Sequence, residues 1–137
     1  MNTVNPLPSV PKQHETKIRV RYQETDAQGH VHHANYPNYF EIGRVEMLRA
    51  SGVSYREFEE MGTMLVVVDL RCQYIKPANY DDLLTLRTTI IRAKGVRIKH
   101  AYEVLLDDEL LAKGETTVAC VSHEGKPVPL PEWLRQD

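Results

Sequence analysis

Cysteine is scarce: Cys72 and Cys120 are the only two in 137 residues. Far apart in a chain without secretory marks, they read as reduced thiols on strands and not as a disulfide framework. Long apolar runs are missing too. None approaches the roughly 20 residues that cross a bilayer, which excludes a membrane-spanning helix. The N-terminus lacks the charged start and apolar stretch of a signal peptide, so the expected location is the cytoplasm. Neither sign of charge dominates, with 17 Lys and Arg against 19 Asp and Glu and a formal net charge of −2. That balance argues against wholesale binding of nucleic-acid backbone, which needs a basic excess. There is no internal repeat and no low-complexity block. The length suffices for one domain with a genuine core and is too short for two.

Periodicity divides what is present. Residues 1–14 carry Pro6, Pro8 and Pro11 among small polar residues and read as a flexible lead-in to a single domain over 15–137. From Thr16, Ile18, Val20 and Tyr22 alternate with Lys17, Arg19 and Arg21, the pattern of a half-buried strand. The period then lengthens: Tyr36, Phe40, Gly43, Met47 and Ala50 share one face of a helix. Asn35 is its expected N-cap, Pro37 fits the first turn, and Gly52 stands where a left-handed C-cap belongs. Tyr39, Ile42, Val45 and Leu48 widen the apolar surface, so this helix must be covered on several sides. Gly43 on the buried face admits a close backbone approach. A short second helix follows from Ser54, with Glu57 in capping-box spacing.

The remainder is strands. Val68, Leu70, Cys72 and Tyr74 alternate with polar residues; so do Leu84 to Ile90 and Val96 to Val104, and a last run covers Leu110 to Ser122. Ala93-Lys94-Gly95 and Asp107-Asp108 are short enough for antiparallel hairpins. The proline-rich tail over 125–131 is expected to run extended along the surface. The order implies an α+β architecture: one antiparallel sheet curling round a long central helix. Exposed sheet edges then predict a homodimer or homotetramer.

Chemistry concentrates in the loop between the first strand and the helix, over residues 22–36. A carboxylate, Asp26, precedes a helix N-terminus, whose unpaired N–H groups can stabilise an oxyanion. A carboxylate beside the polarised carbonyl can activate water or attack directly. These parts suit acyl transfer to water.

The run Tyr22-x-x-x-Asp26-x-x-Gly29-x-Val31-x-His33-x-x-Tyr36, followed by Glu46-Met47-Leu48-Arg49, resembles the hotdog-fold acyl-CoA thioesterases. The nearest branch is the 4-hydroxybenzoyl-CoA thioesterase type with its Tol-Pal-associated relatives, and the resemblance covers residues 16–128. It implies hydrolysis of an acyl-CoA to a free acid and coenzyme A, with acyl carrier protein as the other thioester carrier and no cofactor beyond the CoA of the substrate. By the same resemblance Asp26 is nucleophile or general base, Tyr22 and His33 assist it, and the His33 amide polarises the carbonyl. Gly29, Val31 and Tyr36 then border the substrate pocket. His30 and His32 depart from the family pattern, where apolar or aromatic residues are common.

Other readings compete at each position. An Asp in a glycine-containing loop is often a turn-former, and a histidine near a helix start often bonds a loop carbonyl. His30-x-His32-His33 invites a metal, but an extended loop points His33 away from the other two, so no metal is expected. Glu41 and Glu46 are read as partners of Arg44 and Arg49. Arg92, Lys94 and Arg97, with Lys99, gather at one hairpin and are candidates for the CoA phosphates. The rival functions are a hotdog hydratase or dehydratase and a non-catalytic acyl-CoA or acyl-carrier binding module.

Overall fold

Alternating and helical periodicities become five strands and two helices in the computed structural model, which describes residues 8–136. In chain order these are β1 (Gln13–Arg19), α1 (Tyr36–Ala50), α2 (Tyr55–Glu60), β2 (Thr63–Tyr74), β3 (Leu83–Lys94), β4 (Arg97–Leu106) and β5 (Glu109–Ser122). The strands form one antiparallel sheet in the order β1-β3-β4-β5-β2. The β3–β4 turn uses Gly95 at φ +65, and the β4–β5 turn places both Asp107 and Asp108 at positive φ. Two successive left-handed residues are what a tight hairpin matching the strand twist requires.

Helix α1 lies across the inner face of this sheet and divides the core in two. Under its first half Tyr36, Tyr39 and Phe40 meet Leu84, Leu86, Tyr102 and Val104; under its second half Met47 and Leu48 meet Ile90, Ile98 and Val118. Phe40 stacks on Tyr102 at 4.3 Å between ring centroids. Burying each such side chain stabilises the fold by roughly 1.5–3 kcal/mol. Gly43 sits where a Cβ would overlap Thr88 Oγ1 and come within 2.7 Å of Leu86 Cδ2. The helix therefore rests on β3 with nothing between backbone and strand. Ser54 and Glu57 form the expected capping box of α2.

Several expectations change. The lead-in of residues 1–14 falls partly on residues 1–7, which lie outside the described residues. Of the rest, Val10 is buried in the second core cluster and β1 already begins at Gln13. The tail does not simply run along the surface: Leu130 and Leu134 are buried, and the Gln136 backbone pairs with Ala93. Apolar residues placed beyond the prolines close the open end of the second cluster. Strand β2 was expected to be half-buried by its alternation. It is an edge strand with a bulge between Val67 and Asp69, and Val66, Val67, Val68 and Leu70 are exposed, Val68 at 52%. The bulge breaks the alternation. Ile42 of α1 is exposed as well. The other residues that widen its apolar surface are covered within one chain, Tyr39 and Leu48 fully and Val45 in part.

Candidate functional site

Residues 22–35 are held against the rest of the molecule by backbone pairing. The Val31 amide donates to the Ala78 carbonyl at 2.8 Å, the His32 amide to the Glu24 carbonyl at 2.9 Å, and His30 bridges to Asn79. Within the loop, Asp26 closes a turn. Its carbonyl accepts from the Gly29 amide at 3.0 Å, and Gly29 adopts φ +80, a left-handed conformation that favours glycine. The carboxylate is itself part of the turn: Oδ1 accepts from the Gln28 amide at 2.9 Å and from the His30 amide at 3.3 Å. Oδ2 has no protein donor among the described residues. The turn-forming reading and the catalytic reading are therefore served by different oxygens of one side chain.

Asp26 lines a pocket of about 310 Å³ together with His30, Val31, His33, Tyr36 and Tyr74. A single 3₁₀ turn over His33–Asn35 runs directly into α1. Its first amide, that of His33, has no acceptor within the protein among the described residues. The Tyr74 hydroxyl donates to the His33 carbonyl at 2.9 Å, fixing that peptide from the β2 side. Burial, and then Cys72, push the Tyr74 phenol up to about 12, so it stays protonated and able to donate.

A residue the sequence reading passed over anchors the loop. Glu24 Oε1 accepts from the Arg21 amide and from the Tyr39 hydroxyl, both at 2.9 Å, while Oε2 meets the Arg21 guanidinium at 2.9 Å. Burial pushes the Glu24 carboxyl up, but the hydrogen bonds from Arg21 and Tyr39 outweigh it, and the net direction is down. Tyr39 is shifted upward by the same contact and by its burial.

The structure brings together some of the expected residues and separates others. Asp26, His33, Val31 and Tyr36 share the pocket, whereas Gly29 shapes the turn and does not line it. Tyr22 is 78% exposed and lies edge-on to Tyr80, away from the pocket. Asn35 does not cap α1 with its side chain; its amide nitrogen donates to the Glu24 carbonyl at 2.8 Å. His32 caps the preceding 3₁₀ turn, its side chain accepting from the Ala34 amide, and its ring stacks on His33 at 4.2 Å. The geometry of an extended loop, with His33 pointing away from His32, is thus corrected by the 3₁₀ turn. Among the described residues no three His, Cys, Asp or Glu side chains converge to hold a metal ion.

Arg92, Lys94 and Arg97 line a separate concavity with Lys99 and Thr117. They stand at the far end of β3 from the residues tied to the Asp26 loop, a strand length of roughly 35 Å away. One chain does not bring them to its own Asp26. The cation on the Asp26 pocket is Lys76, which pairs with Glu109 at 2.9 Å.

Known proteins resemble this chain in sequence and in fold. The sequence profile of the thioesterase-like superfamily matches residues 20–137. The acyl-CoA thioesterase YbgC of Haemophilus influenzae is 36% identical over 120 residues, covering 86% of this chain and 88% of its own. Among solved structures, the DHNA-CoA thioesterase of Staphylococcus aureus superposes with a TM-score of 0.83 at 31% identity, over 86% of this chain and 80% of its own. A protein of Aquifex aeolicus superposes with a TM-score of 0.85 at 36% identity, over 89% of this chain and 99% of its own.

Proposed function

The chain belongs to the thioesterase-like superfamily and has its hotdog fold, and on that premise we propose that it hydrolyses acyl-CoA thioesters to a free carboxylic acid and coenzyme A. The observation that carries this reading is the divided Asp26 carboxylate, with Oδ1 tied to two backbone amides and Oδ2 left for chemistry on a pocket that also holds His33. In the proposed reaction the thioester carbonyl oxygen accepts from the His33 amide at the start of the α1 helical run. There the helix dipole favours the negative charge that develops in the transition state. Asp26 then works on the carbonyl carbon in one of two ways. As general base it takes a proton from water, whose oxygen bonds to the carbonyl carbon. As nucleophile it forms an acyl anhydride that water opens. In both, the carbon–sulfur bond breaks and the CoA thiolate leaves, taking up the proton that water supplies. The His33 imidazole, on the same pocket, is proposed to assist that proton transfer.

Two features support a homodimer as the working unit: the unpaired outer side of β2 and the exposed Ile42 on α1. Arg92, Lys94 and Arg97 serve the CoA phosphates in this reading only if another copy supplies them, since one chain keeps them at the other end of the sheet. Thiol release from a panel of short, long and aromatic acyl-CoAs tests the activity. Asp26→Ala is expected to lower kcat/KM by at least about a hundredfold, with the circular dichroism of the wild type retained. Full activity in that variant would remove Asp26 from the reaction. A single turnover in ¹⁸O-labelled water tests the nucleophilic route, because an unlabelled Asp26 oxygen in the first product requires an anhydride opened at the Asp26 carbonyl.

A further inference from the structure

Away from the Asp26 loop, a second cavity of about 300 Å³ lies beside the second half of α1. Met47, Leu48, Leu65, Val67, Ile90 and Ile98 make its wall apolar; Tyr55, its hydroxyl bonded to the Leu65 backbone, lines it too, and Glu41, Arg44 and His100 interrupt it. Glu41 is exposed at the rim. Arg44 donates to the Tyr102 hydroxyl at 3.1 Å, and that hydroxyl is shared with Thr116. Among the described residues Arg44 has no carboxylate within ion-pair distance. His100 is 4% exposed, and its Nδ1 has no hydrogen-bond partner. Burial, and then Arg44, push the His100 pKa down to about 3, so the ring is neutral and has one nitrogen to donate and one to accept. An unpaired buried polar atom is costly and rare. A cavity meant only for hydrocarbon gains nothing from a histidine there.

The position of the cavity gives this cluster a use. Leu65 and Val67, on the first half of β2, line it; Tyr74, the last residue of the same strand, lines the Asp26 pocket. Antiparallel two-fold pairing of β2 with a second copy sets the first half of one strand against the last half of the other. With that pairing the cavity of one copy would neighbour the Asp26 pocket of its mate. At about 30 Å³ for each water-sized group, it has room for roughly ten such groups.

We propose that this cavity receives the far end of the acyl group, and that His100 and Arg44 select acyl groups carrying an oxygen there over plain hydrocarbon. A hydroxyl can serve both residues, exchanging a hydrogen bond with His100 Nε2, the ring nitrogen that is not sealed in, and accepting from the Arg44 guanidinium. The inference rests on the thioesterase reading and on the β2 pairing. Its test keeps binding apart from turnover. Trp133, the single tryptophan, adjoins Leu134 of the cavity wall and reports occupancy by its fluorescence. Free ω-hydroxy fatty acids are titrated against alkanoic acids of equal length, and kcat/KM is measured for the matching acyl-CoA pairs.

Wild type is expected to favour the hydroxylated member of a pair in both measurements, and His100→Leu to reduce that ratio about tenfold. Because the substitution removes an unpaired atom from an apolar site, the melting temperature of the variant should hold or rise. Equal binding of the two acids by wild type overturns the proposal without any variant. An unchanged ratio in folded His100→Leu overturns it as well. Preferential binding of the hydroxy acids with no hydrolysis of any acyl-CoA would leave the cavity's selectivity standing and refute the thioesterase reading instead.

Discussion

Asp26 and Glu24 are two residues apart and have opposite tasks. Asp26 keeps one oxygen without a protein partner, while Glu24 has both oxygens engaged and ties the loop to α1 through Tyr39. Glu24 carries a pH signature. Its folded-state pKa is lowered, so its contribution to stability is complete above the ordinary carboxylate value of about 4.3 and is lost as pH falls through the lower folded value. Denaturant titrations should therefore find Glu24→Gln less stable than wild type at neutral pH, with the difference shrinking in acid. A difference that grows in acid would contradict the assignment. Tyr74→Phe tests the other side of the pocket. Removing the donor to the His33 carbonyl should cost about 1 kcal/mol of positioning, roughly fivefold in kcat/KM, with little change in melting temperature.

Among the elements, α1 was the most legible, because aromatic and aliphatic residues at helical spacing leave few alternatives and Gly52 marks the stop at φ +96. Gly43 was legible as a point of close approach, and the structure identifies the neighbours as Thr88 and Leu86. Gly43→Ala should destabilise the protein by about 1–3 kcal/mol in thermal or denaturant unfolding, since the overlap outweighs the helix propensity gained. A stabilised variant would mean that α1 can lift from β3 freely. Strand β2 was legible as a strand but not as an edge, because alternation reports which faces differ and says nothing about which neighbours exist. The loop was legible in its Asp26 motif only. Glu24, Tyr74 and the cap by His32 depend on contacts between distant segments that no local spacing encodes. The exposure of Tyr22, which ends an alternating strand and is expected to assist Asp26, was hidden in the same way: it does not line the Asp26 pocket of its own chain.

For the whole molecule, the decisive feature is the apolar edge. Val66, Val67, Val68 and Leu70 form an exposed run on a strand whose outer edge is unpaired, the kind of surface soluble proteins cover or charge. Val67→Lys, placed in that run, should shift sedimentation towards the single-chain mass of 15.8 kDa. It should also reduce acyl-CoA hydrolysis in parallel, because the proposed site needs two copies. Activity retained by a verified single chain would refute the shared site.

The strand order also sets how such a chain reaches its fold. Strands β3, β4 and β5 follow one another in sequence and in the sheet, so a local meander can assemble through short loops. Strand β1 must then find β3 across some seventy residues, pairing His14 with Thr88, and β2 must find β5 across some sixty, pairing Thr63 with Ser122. Until that second search ends, the valines of β2 are a sticky, unpaired strand in a partly folded molecule. The segment proposed to join two finished copies is thus also the one through which unfinished copies would aggregate, and crowding that speeds assembly also raises the rate of misassembly.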